Sequence, residues 1–196
     1  MLPYSPAQLY TIIADIDSYR FFLPNCTASQ VTAWTSPSTA QQQEQEQEQQ
    51  QKRWPALADL TVGWGPFTQS YTSRVYCIPG SVVEAVSGAA STTIAASTLA
   101  QARYDISAGE DKSTQISTGI FQSLVTRWTV RAAPAPQGGS TVIQAGVEWA
   151  EVELSIQYRF ANPALGFAVG QLADEKVNEM VQAFEERARR LYGKKK

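Results

Sequence analysis

The run from Asn162 to Gly193 constrains this chain most, because it carries the punctuation of one long helix bounded at both ends. Asn162 suits an N-cap, Pro163 suits the first helical position, and Gly193 can stop the helix in a left-handed cap. Between them Leu165, Val169, Leu172, Val177, Met180, Val181, Phe184, Ala188 and Leu191 make an apolar stripe at helical spacing. Asp174, Glu175, Glu179, Glu185, Glu186, Arg189 and Arg190 take the opposite side. At 1.5 Å per residue the rod is roughly 45 Å long, enough to cross a whole sheet face. Such a stripe needs an apolar surface to lie on.

The rest of the chain reads as that surface. Ser5-Pro6 with Leu9, Ile12, Ile13 and Ile16 predicts a capped amphipathic helix, and Asp17-Ser18 opens a second short one through Phe22, before Pro24. Cys26 to Trp34 predicts a strand. The Gln/Glu tract from Gln41 to Gln51 cannot bury a core and reads as a disordered loop insertion over 36–53, a helical spur being the alternative. Beyond it Leu60, Val62 and Trp64 share one face, as do Phe67, Tyr71, Val75 and Cys77, with Gly65-Pro66 as the turn of a hairpin. Val82 to Val86 continues the meander. A Ser/Thr/Ala/Gly-rich long loop follows over 87–119, with a helical turn near Leu99 to Tyr104. Leu124, Trp128 and Val130 mark the next strand, and Pro134 to Ser140 a turn.

The last strand region switches parity. Ile143, Ala145, Val147 and Trp149 alternate in one phase, whereas Val152, Leu154, Ile156, Tyr158 and Phe160 alternate in the other. A one-residue slip turns every side chain over, so a bulge or bend is expected near Ala150-Glu151, curling the sheet. Two short helices, at least six antiparallel strands and one long helix make an α+β grip, the sheet wrapped around the rod, in a single domain over 1–196.

Composition removes several chemistries. With no histidine and only Cys26 and Cys77, the usual metal sites, a disulfide framework and His-based nucleophilic triads have no residues to build them. A formal charge of −2 gives no electrostatic reason for a nucleic-acid partner. No run of about 18 apolar residues is present to span a bilayer, and the chain opens with neither a signal nor a transit peptide. The end is basic, with Arg187, Arg189, Arg190 and Lys194 to Lys196; it reads either as a solvated tail or as a contact for anionic headgroups. Gly63-Trp64-Gly65 lacks the glycines and the following helix of a phosphate loop, and reads as a kinked strand end with Trp64 packed inward.

What remains is shape. A curled sheet standing off a long helix encloses apolar space. A void of about 300 Å³ costs on the order of 7 kcal/mol, comparable with a domain's whole stability of roughly 5 to 15 kcal/mol. An apolar guest relieves that cost, since one isoprene unit is worth roughly 4 kcal/mol gross.

Four ordered pieces resemble the coenzyme Q-binding proteins of the START-like polyketide cyclase/dehydrase superfamily. They are Tyr19-Arg20-Phe21-Phe22-Leu23-Pro24-Asn25-Cys26 with Ser29 and Val31; Phe67 to Val75; Phe121-Gln122-Ser123-Leu124 leading to Trp128; and Phe160-Ala161-Asn162-Pro163 with Met180 to Ala188 and Leu191-Tyr192-Gly193. The resemblance implies a helix-grip (START-like) fold holding ubiquinone, or a lipophilic precursor, as a bound ligand rather than a catalytic cofactor. It implies a fungal-type mitochondrial protein, peripheral to the matrix side of the inner membrane, supporting respiration and quinone biosynthesis with no known reaction. Coenzyme Q biosynthetic or respiratory complexes are its implied partners. Two departures stand out: almost nothing precedes Tyr4-Ser5-Pro6, where the family places a strand, so a shortened or missing first strand is expected; and Asn25 replaces an aromatic.

The expected lining is Phe22, Leu23, Trp64, Tyr71, Leu124, Trp128, Leu172, Val177, Met180 and Phe184, with no catalytic residue and no metal. Two rivals belong to other classes. One is a cyclase or hydrolase, for which Tyr71, Tyr158 and Glu148 are the isolated polar candidates; the other is a ribosome-associated module, since bacterial relatives in the family are linked to ribosomes. The basic end yields a first prediction. Removing Lys194 to Lys196 weakens binding to anionic liposomes by about 1 kcal/mol per charge in low-salt co-sedimentation.

Overall fold

The computed structural model describes residues 1–35, 53–64, 67–101, 121–135, 148–162 and 173–193. Helix α1 (Pro6–Ala14) starts as its sequence dictates: the Ser5 hydroxyl accepts from the Gln8 N–H, the Gln8 side chain accepts from the Ser5 N–H, and Pro6 sits where no intrahelical donor is needed. Leu9, Tyr10, Ile12, Ile13 and Ala14 are buried. A 3-10 helix, Ile16–Phe21, follows at once, and its Tyr19 hydroxyl donates back to the Ile13 carbonyl. Asn25 then takes a positive φ of 63°, a conformation its short polar side chain tolerates better than an aromatic does.

Six antiparallel strands succeed one another in spatial order: β1 (Cys26–Trp34), β2 (Pro55–Trp64), β3 (Phe67–Ile78), β4 (Val82–Gly88), β5 (Phe121–Ala133) and β6 (Trp149–Phe160). This is the expected α+β grip. Its curl has a different source from the one expected. From Ala133↔Trp149 to Ser123↔Arg159 the β5/β6 register runs without a slip, so no bulge falls at Ala150-Glu151. Trp149 simply occupies the outer phase of β6, while Ala150 and Phe160, in the inner phase, are buried. The register shifts instead at Gln122 in β5 and three times along β1, between Cys26 and Ala28, Val31 and Ala33, and Ala33 and Trp34. Extra residues at these points bend the strands.

On the inner face α1 and helix α3 (Ala173–Tyr192) share a core in which Ile13, Val31, Ala58, Val75, Val83, Trp128, Phe184 and Ala188 are buried together. Gly193 ends α3 at φ 77°, as expected of a left-handed cap. The two terminal regions are tied here: the Tyr4 hydroxyl donates to the Gly193 carbonyl at 3.0 Å and the Tyr192 hydroxyl to the Gln8 carbonyl at 3.3 Å. Leu2 exchanges two backbone hydrogen bonds with Ala150, at 2.8 and 3.0 Å, so the residues ahead of Tyr4 supply a single bridge on the β6 edge. Pro163 to Leu172, including the start expected for the long helix, lies outside the described residues.

The outer face carries a second, smaller core. The segment after β4, expected to be a long loop with a helical turn near Leu99 to Tyr104, lays Ile94 and helix α2 (Ala96–Gln101) with Leu99 over Tyr76, Val86 and Val125. Beneath it Glu84 is fully buried; its carboxylate accepts from the Thr92 hydroxyl at 2.5 Å, the Thr93 N–H at 2.8 Å and the Thr93 hydroxyl, with Arg127 at 3.5 Å. A buried carboxylate is tolerable only with such partners. The rest of the expected loop, the tract over 36–52 and Lys194 to Lys196 lie outside the described residues, as do Gly65-Pro66.

Gly88 makes the approach of β4 to the β5 bulge possible. Its φ is +68°, and a Cβ there would meet the Gln122 carbonyl oxygen at 2.4 Å. Gly88→Ala therefore destabilises the fold by about 2 kcal/mol or more, through positive φ and a backbone clash together, in urea denaturation.

Candidate functional site

Alternation along the strands partitions charge across the sheet. Asp59, Arg74, Glu84, Arg127, Arg131, Glu151, Glu153 and Arg159, the charged residues of the six strands, all share the outer phase by cross-strand register. The inner phase carries none. Following the register across that face gives the row Val31, Ala58, Ser73, Ser87, Leu124, Tyr158 and, further along, Cys77, Val83, Trp128, Leu154.

Two aromatic groups stand on this face. In the first, Phe184 of α3 is the hub: its ring centroid lies 4.5 Å from Trp128, 5.3 Å from Tyr19 and 5.1 Å from Phe22, the last two edge-on. Each such pair adds about 0.5 to 1.5 kcal/mol beyond its buried area. Leu23 is buried in the same core, and the Arg187 guanidinium caps Phe22 at 5.5 Å. In the second group, Phe121 stacks on Phe160 at 5.1 Å and meets Tyr71 edge-on at 5.7 Å, with Leu124 buried and Ile156 beside them.

The ten expected lining residues are thus divided. Phe22, Leu23, Trp128 and Phe184 belong to the first group, and Tyr71 and Leu124 to the second. Met180 and Val177 are half-buried on the α3 stripe, about 6 and 10 Å along the helix from Phe184 and away from its tied C-terminal end. The Trp64 side chain and Leu172 lie outside what is described. Residues missed in the sequence are Tyr19, Phe121, Phe160 and the pair Ser73 and Ser87, whose hydroxyls lie 2.7 Å apart and are almost fully buried in the inner row. Strand parity marks Phe160 and Ser73 as inward; nothing local announces Tyr19.

Of the polar candidates for catalysis, Tyr71 and Tyr158 both border the Phe121–Phe160 stack, and Glu148 stands apart from Tyr158. Tyr158 is 39% exposed against Phe160, whereas Glu148 is exposed just ahead of β6, ten residues from Tyr158 along an extended chain and so about 33 Å away. No group of His, Cys, Asp and Glu that could hold a metal occurs among the described residues.

A family model described as polyketide cyclase / dehydrase and lipid transport matches residues 2–185. The chain belongs to that family. It is similar to the mitochondrial coenzyme Q-binding protein coq10 of Schizosaccharomyces pombe, 23% identical over 96% of this chain and 83% of the relative. It is also similar to the ribosome association toxin RatA of Pseudomonas aeruginosa, 25% identical over 98% and 94%. Among solved structures, a START superfamily protein from Mycobacterium smegmatis superposes with a TM-score of 0.58 at 13% identity, over 97% of this chain and 93% of that one. The Zhui aromatase/cyclase of Streptomyces sp. R1128 does so with 0.55 at 13%, over 97% and 90%. These two likenesses establish the START-like fold.

Burial sets the protonation of the groups inside this family member. It raises Tyr71 and Tyr19 above the ordinary phenol range, pushes the Cys77 thiol up to about 12, and raises Cys26. Both thiols and both phenols are neutral at physiological pH, so the interior offers hydroxyl donors and no anionic nucleophile. In the native protein at pH 8, Cys26 and Cys77 resist a thiol-reactive chromogenic disulfide. Both react after denaturation, as counted by absorbance.

Proposed function

We propose that this protein is a lipid-quinone carrier or chaperone. It holds the benzoquinone head and proximal isoprenes of ubiquinone, or of a lipophilic precursor, between the inner face of the sheet and α3, while the remaining tail leaves toward the membrane. The observation that carries this reading is the inner face of the sheet, uncharged along its strands and polar only through hydroxyls, two thiols and the Gln69 amide, lying under the apolar stripe of α3. An apolar ligand with a few carbonyl and methoxy oxygens matches such a surface. The likeness to the S. pombe coenzyme Q-binding protein supports the quinone as the ligand class.

The role is binding and release, with no bond made or broken. It belongs in the mitochondrion, peripheral to the matrix face of the inner membrane, where it supplies respiratory electron transport and coenzyme Q biosynthesis. The ten-residue lining stands as part of this proposal, with Tyr19, Phe121 and Phe160 added to it. The ribosome reading draws on the likeness to RatA. An acidic chain, of pI about 5.2, gives no electrostatic support to direct rRNA contact; co-sedimentation with ribosomes that survives moderate salt would favour that reading instead.

Organic extraction and mass spectrometry of the purified protein decide the matter. Bound quinone is expected, and protein that carries none and takes none up from liposomes overturns the reading. Met180→Asp puts a carboxylate on the half-buried stripe, where an apolar ligand leaves it poorly solvated. Quinone uptake by this variant falls at least about tenfold, measured at unchanged far-UV circular dichroism.

A further inference from the structure

The 3-10 turn carries an exposed aromatic that neither the core nor the proposed cavity uses. Phe21 is 68% exposed, yet its backbone is braced on both sides. The Arg20 N–H donates to the Ser29 hydroxyl at 3.0 Å and the Arg20 guanidinium to the Ser29 carbonyl at 3.2 Å. The Asp17 carboxylate accepts from the Val31 N–H at 2.6 Å, and the Leu23 N–H donates to the Tyr19 carbonyl at 2.8 Å. The ring is therefore held out in water by a stiff turn. A single exposed apolar residue needs no explanation by itself, but this one has company.

The Arg20 guanidinium lies 4.7 Å over the Phe21 ring, and Arg187 lies 5.5 Å over Phe22, the next residue. Leu191, one helical turn beyond Arg187 and on the same side of α3, is 50% exposed. Arg189 and Arg190 reach Glu185 and Glu186 on their own helix at 2.8 and 4.0 Å. Among the described residues neither Arg20 nor Arg187 is paired with a carboxylate. Cations stacked on aromatic rings keep their charge available to an outside anion.

We infer that the Phe21 turn, with Arg20 and Arg187, is the surface that seats this protein on an anionic lipid bilayer. An aromatic ring enters the headgroup boundary, and two guanidiniums meet the lipid phosphates around it. An apolar protein groove could receive the ring but would leave both charges without partners. The surface goes beyond the quinone proposal and stands whether or not a quinone fills the grip.

The test uses the full chain and vesicles free of quinone, made of phosphatidylcholine with or without phosphatidylserine. Co-sedimentation is expected only with the phosphatidylserine vesicles, falling as salt rises. Phe21→Ser weakens it about tenfold while thermal unfolding stays unchanged, and Phe21→Trp retains it. Arg20→Gln and Arg187→Gln each weaken it about fivefold. The inference is overturned if the parent binds neither vesicle, if Phe21→Ser binds like the parent, or if only loss of Lys194 to Lys196 matters. Loss of quinone without loss of vesicle binding would count against the carrier reading alone.

Discussion

The contact on which the rest of this structure depends is the seating of Phe184 against Trp128, Tyr19 and Phe22. It joins three regions distant in sequence: the first turns after α1, the fifth strand, and the last helix. Without it α3 would be tied to the remainder mainly by hydrogen bonds at its C-terminal end, from Tyr4 and Tyr192. Each of these is worth only about 1 kcal/mol net, whereas burying a large aromatic contributes several times that. Phe184 and Ala188 are thus fixed in the core, whereas Val177 and Met180, earlier on the same stripe, are half-buried.

The sheet serves this arrangement by sorting charge. Every strand has two faces, and placing all strand charges on the outer one leaves an inner face whose polar groups are hydroxyls, thiols and the Gln69 amide. Burial then keeps those thiols and phenols neutral. The outer face has its own solution to the same problem: the one fully buried carboxylate among its described residues, Glu84, is surrounded by donors from Thr92, Thr93 and Arg127, beneath a segment that also covers Tyr76 and Val86. A sheet apolar on one side and locally covered on the other can curl without exposing its centre.

Most of the order of elements was legible because its signals are local. The Ser5/Gln8 capping pair, the alternation of β2 and β3 and the stop at Gly193 each involve residues a few positions apart. The parity argument for β6 misplaced the bulge because it treated Trp149 as inward; a large aromatic on the outer phase is indistinguishable, in sequence, from one in the core. The bulges that do curl the sheet depend on register with a partner strand, which no single strand encodes. The lining residues were recognisable as inward by periodicity, yet their division into a Phe184 group and a Phe121 group was not. That division follows from cross-strand register and from where Phe184 seats on the sheet.

By itself the sequence determined that a long amphipathic helix must lie on an antiparallel sheet, and it removed histidine-based chemistry outright by lacking the residue. Hydrophobic period, caps and composition are properties of a chain taken a few residues at a time. Only the tertiary structure decided that Phe184 is a hub rather than one more stripe residue, that Ser73 and Ser87 meet across β3 and β4, and that Phe21 is left in water under the Arg20 guanidinium. Those outcomes depend on contacts between distant segments, and packing settles them all at once.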